Sequence, residues 1–157
     1  MADGARYGAA MNKQAVTLAW LGAGLGVVLA ALPSAVLADP CKAIPDRGPM
    51  PAYLAPGAVF RGPVRYVGDG DGLCVAVGTS ADEWVEVRLA DFYAPELSEP
   101  GGREAKATLE AIALGKTLTC TAGKRSYDRV VARCRLGGAS LGDLMRRAGV
   151  SEGGNGR

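Results

Sequence analysis

Histidine is absent from all 157 residues. That single absence removes Ser-His-Asp and Cys-His catalysis and any imidazole base, and it leaves a zinc site almost nothing to be built from. Cysteine is scarce at four residues, and none of them forms a CxxC pair. Net charge is nearly lacking too, with 18 Lys and Arg against 16 Asp and Glu, so bulk charge argues neither for nor against a polyanionic partner. What remains is the chemistry of carboxylates, arginines, hydroxyls or a bound metal.

Residues 1–38 are set aside from the fold as an export signal. Arg6 and Lys13 precede an uncharged stretch from Gln14 to Ala38 that ends in small residues suited to cleavage. Met11 is an alternative start, and an uncleaved anchor is the competing reading because the apolar run is long enough to span a bilayer. Asp39 and Pro40 before Cys41 argue against a lipid anchor. Removal leaves residues 39–157, the size of one compact domain, with a net charge of about +1. All four cysteines lie in that part. An even count after a signal points to two disulfides, to a secreted or periplasmic protein, and to no stable membrane association once the signal is cut.

Residues 39–57, rich in Pro and Gly, read as an extended arm. Alternation then predicts strands at 59–67, 73–78 and 84–90, close enough in sequence to form a meander. In the third, Trp84, Glu86 and Arg88 share one face and Val85, Val87 and Leu89 the other. A helix follows in GREAKATLEAIALG, with Ala105, Leu109, Ile112 and Ala113 as its apolar stripe and Gly115 where a C-terminal cap belongs. KTLTCTA and RVVARCRL read as two more strands joined by a basic hairpin. That hairpin sets Cys120 opposite Cys134, which leaves Cys41 for Cys74. A last helix begins at Ser140 and closes at Gly149, and residues 151–157 read as a disordered tail. The order predicts a mixed α+β, mainly β fold, a five-stranded OB barrel with two helices over 58–150. No repeat suggests more than a monomer.

Two stretches carry polar residues out of pattern. VGDGDGLCV at 67–75 sets Asp69 and Asp71 between three glycines, which is either an Asp-Gly turn or a turn that also aims oxygen donors at a cation. KRSYDRVVARCR at 124–135 holds five cations against Asp128 alone, either a solvated strand face or a basic ribbon facing a cleft. A phosphodiester-cleaving site without histidine needs a hard cation, a carboxylate to take a proton from water, and forked cations to hold an oxyanion. Arg88, Glu96 and Arg129 are the residues of those types that stand out.

Taken in order, DGDG at 69–72, VRLADFYAPE at 87–96, a helix, GK at 115–116, YDRVVA at 127–132 and LG before the last helix resemble the staphylococcal nuclease (thermonuclease) family, over about Val64 to Val150. The resemblance implies an enzyme that hydrolyses DNA or RNA phosphodiesters with a divalent metal, calcium first. It implies Asp71 and Asp69 as metal-binding carboxylates and the main-chain carbonyl of Ala94 as a further ligand. Arg88 and Arg129 would clamp the phosphate, with Glu96 as general base. Tyr127, Tyr93, Lys124 and Arg125 would touch the substrate. The chain departs from the family where Tyr93 replaces a metal-binding aspartate, Gly72 a threonine and Asp128 a glycine, and the last expected helix is the second where the staphylococcal enzyme has a third. The loss of a charged ligand implies weakened calcium binding. The alternative is a non-catalytic OB module that binds nucleic acid or another polymer.

Overall fold

The computed structural model describes residues 39–154. Residues 1–38, where the export signal is expected, and residues 155–157 lie outside the described residues. Strands β1 (Val59–Val67), β2 (Gly72–Ala76) and β3 (Trp84–Leu89) form an antiparallel meander, followed by helix α1 (Gly102–Ala113). Then come β4 (Thr117–Ser126), β5 (Arg129–Leu136), the two-residue β6 (Ala139–Ser140) and helix α2 (Leu141–Arg147). Sheet order is β3-β2-β1-β4-β5-β6, and a parallel seam between β3 and β5 closes the first five strands into a mixed barrel. The fold is OB-like, with two helices, as the element order predicts. No helix among the described residues is long and apolar enough to cross a membrane.

Burial follows the expected alternation. In β3, Val85, Val87 and Leu89 are fully buried while Trp84, Glu86 and Arg88 are half-buried on the other face. Helix α1 buries Ala105, Leu109 and Ala113, while Ile112 only packs against the core from its edge. Gly115 takes a left-handed φ of 75° and its N–H bonds the Val64 carbonyl at 2.9 Å, so the cap also ties the helix to β1.

Three boundaries differ from expectation. β4 runs on to Ser126 through a register shift after Ala122, so the hairpin turn is Tyr127–Asp128 alone. β6 is too short to leave an alternation signal; it exists because Arg135 pairs with Ser140. Residues 151–154, expected as a disordered tail, begin docked, since Gly153 N–H bonds the Tyr93 carbonyl at 2.9 Å and Glu152 pairs with Arg146.

Both disulfides form as the hairpin register implies. Cys120 and Cys134 face each other across β4 and β5, and Cys41–Cys74 ties the arm to β2. The arm is held further by Lys42 and Ala43 N–H groups on the carbonyls of Ala81 and Trp84.

Candidate functional site

The glycines of VGDGDGLCV have separate jobs. Gly68 N–H bonds the Gly72 carbonyl at 2.9 Å, closing a tight turn between β1 and β2. Within it Asp71 N–H donates to Asp69 Oδ1 at 3.0 Å, an Asx turn. A Cβ on Gly72 would lie 2.8 Å from that same Oδ1, so a side chain there crowds the Asp69 carboxylate. A Cβ on Gly70 would lie 2.4 Å from the Ala94 Cβ and 2.6 Å from the Ala105 Cβ. The turn, the loop after β3 and helix α1 therefore meet at Gly70. Gly70→Ala is expected to cost about 1–3 kcal/mol through overpacking; an unchanged denaturation midpoint would contradict this three-way packing.

Asp71 is the only charged residue among the described ones that is fully buried, 3% exposed. Its Oδ2 accepts the Ala94 N–H at 3.1 Å and lies 3.4 Å from Arg88 Nη2. Burial and then the Asp69 charge push its pKa up to about 6, while Arg88, the Ala94 N–H and Arg129 pull it down. Two neighbouring carboxylates, one of them buried, therefore lack a full complement of positive charge.

Arg88 in β3 and Arg129 in β5 are brought together by the parallel seam, in which Arg88 aligns with Val131 and Val87 with Val130. They share a cleft of about 260 Å³ with Tyr93, Lys124 and Tyr127, over a floor of Leu89 and Val131. Tyr127 is 85% exposed and is the one non-glycine described residue with positive φ, 58°. A left-handed tyrosine costs about 1–2 kcal/mol, a cost glycine would avoid at this turn. The ring stands open to solvent beside two arginines.

Arg129 Nε also faces Glu86 Oε1 at 3.9 Å. Burial, then a hydrogen bond and charge from Asp39, then the charge of Asp128, raise the Glu86 pKa to about 8 against the pull of Arg129. Stability from this group is complete below about pH 4.5 and is lost as pH rises through about 8. The expected result is a melting temperature that falls between mildly acid and mildly alkaline pH, with a smaller fall in Glu86→Gln. An equal fall in the variant would show that Glu86 is not the group responsible.

The structure places three of the expected site residues away from the cleft. Arg125 is engaged with the arm. Its guanidinium donates to the carbonyls of Pro45, Gly48 and Tyr127, strapping the arm to the hairpin, because the β4 register shift turns it toward the arm. Ala94 meets Asp71 through its N–H, and a Cβ on Gly154 would lie 2.3 Å from the Ala94 carbonyl oxygen. Glu96 follows on the same loop, its N–H on Glu99 Oε2 at 2.8 Å. The Glu96 side chain is half-buried and is not among the residues lining the cleft.

These positions bear on metal binding. Asp71 Oδ1 and Asp69 Oδ2 remain as oxygen donors, far short of the six to eight that calcium takes. Two carboxylates fit better an ion that keeps several of its waters. A second cluster, Asp39 with Cys41 and Cys74, has its donor atoms within 4.8 Å of one another, but the two sulfurs are joined to each other and offer no thiolate.

Sequence reasoning missed Glu86 as a partner of Arg129, although it shares the outward face of β3 with Arg88. The signal was present in the alternation; the β3–β5 seam that gives it meaning was not. No family model and no curated protein matches the chain.

Proposed function

We propose that this chain is an exported, metal-assisted phosphodiesterase acting on nucleic acid, similar in plan to the staphylococcal nuclease family. The observation that carries the reading is the meeting of Arg88 and Arg129, from strands far apart in sequence, in one cleft beside buried Asp71. Planar guanidinium forks each meet two phosphate oxygens, and in a partly dry site they stabilise the charge that grows on phosphorus oxygens in the transition state. Tyr93 and Tyr127 offer faces for unstacked bases. A divalent ion held by Asp71 and Asp69 would supply further charge neutralisation and an oriented water. Glu96, whose carboxylate has no hydrogen bond or ion pair among the described residues, is the group left to take the water's proton as the new P–O bond forms and the leaving oxygen departs. The two disulfides are compatible with an oxidising compartment.

A second reading is favoured by two observations: Glu96 does not line the cleft, and Tyr93 stands where the family has a carboxylate. A binding module that cleaves nothing fits both. Digestion of single-stranded and duplex DNA and of RNA by the full chain, with calcium, magnesium, manganese or chelator, separates the two. Metal-dependent cleavage lost in Glu96→Gln is the expected result; retained binding without cleavage under every metal establishes the module.

A further inference from the structure

The outward face of β5 continues beyond the cleft. Val130, Ala132 and Cys134 point into the barrel, so Arg129, Val131, Arg133 and Arg135 share the outer face. With a rise of about 3.3–3.4 Å per residue, Arg133 lies ~13 Å and Arg135 ~20 Å along the strand from Arg129. Successive positions on that face recur every ~7 Å, a stride comparable to that between phosphates of an extended single strand.

A second, larger cleft of about 480 Å³ opens over this part of β5, lined by Arg133 and Arg135 together with Asp91, Ser140, Asp143 and Arg146. Tyr93 lines this cleft and the first one. Charge within it sorts into used and unused. Arg146 pairs with Asp143 at 3.2 Å and with Glu152, so this one guanidinium is fully engaged by two carboxylates. Asp91 accepts the Ser140 hydroxyl. Arg135 donates only to the Gly138 carbonyl, which leaves its charge unmatched. Arg133 is exposed and has neither hydrogen bond nor ion pair among the described residues. Arg133 and Arg135 thus line the second cleft without an ion-pair partner, in company with the charges of Arg146, Asp91 and Asp143.

We propose that β5 is a phosphate track: a single strand of nucleic acid leaves the first cleft past Tyr93 and lays two or three further phosphates on Arg133 and Arg135. The proposal rests on the nucleic-acid reading of the first cleft, and it assigns the substrate as a single-stranded stretch of several nucleotides. Duplex is excluded by the aromatic pair, because Tyr93 and Tyr127 can stack only on bases already freed from their partners.

The test is equilibrium binding in chelator, where no turnover is needed, using fluorescein-labelled deoxythymidine oligonucleotides of three and twelve residues, the twelve-residue duplex, and polyphosphate, at several salt concentrations. The full chain is expected to bind the twelve-residue strand more tightly than the trinucleotide, the duplex or polyphosphate. Arg133→Gln is expected to weaken the twelve-residue strand several-fold, to lower its log–log salt slope by about 0.7 per lost phosphate contact, and to leave the trinucleotide unaffected. Arg133→Lys restores the slope. Equal loss for both lengths, no loss for either, or preference for duplex or polyphosphate overturns the track. Should digestion show no cleavage while these binding differences hold, the hydrolase reading falls and the track stands.

Discussion

Arg129→Ala is expected to lower the turnover number for phosphodiester hydrolysis about a hundred- to a thousandfold, the loss seen when one preorganised oxyanion donor is removed from a dry site. Arg129 reaches the cleft from the first residue of β5 and is only 22% exposed along its side chain, so water replaces it poorly. The fold should barely notice. Its one ion pair, to Glu86, is long at 3.9 Å, and a carboxyl that ionises at about 8 is mostly neutral near pH 7. Removing the arginine therefore strands little charge. Turnover against an oligonucleotide and the melting temperature, measured together, check this. A large drop in stability with little change in turnover would make Arg129 a rim ion-pair residue.

The largest structural effect expected is loss of the disulfides. The bridges close loops with sequence separations of 33 and 14 residues, and loops of that size are stabilised by about 3–4 kcal/mol each when unfolded-chain entropy is counted. For a domain near 100 residues each kcal/mol moves the melting temperature by about 4–8 °C. Cys41→Ser with Cys74→Ser is expected to lower it by more than about 12 °C, because the arm that Cys41 carries also supplies Asp39 to the Glu86 neighbourhood and accepts the Arg125 strap. Cys120→Ser with Cys134→Ser should act similarly on the β4–β5 hairpin. Losses below about 1 kcal/mol in both double variants would mean that the barrel core alone holds the fold.

Barrel order was legible in the sequence because period-two burial in β3 and β5 and the stripe of α1 are strong local signals. So was the pairing of Cys120 with Cys134, since a hairpin register decides it. The site was legible only as residue types. Nothing local shows that Arg125 turns back to the arm, since that follows from a register shift in β4. Nothing local shows that Ala94 presents its N–H to Asp71, which depends on Gly70 packing against Ala94 and Ala105. Tyr127 was singled out only through the family resemblance, and nothing local announced its exposure or its left-handed backbone. Non-local features such as the β3–β5 seam place Arg88 beside Arg129, and the seam exists only once the barrel closes.

The most direct measurement is a crystal structure of the full chain with a phosphorothioate trinucleotide that resists hydrolysis. The account predicts one phosphorus within hydrogen-bonding reach of both the Arg88 and Arg129 guanidinium groups, with a base against Tyr127 or Tyr93. An ordered nucleotide on another face of the barrel, touching neither arginine, would contradict it.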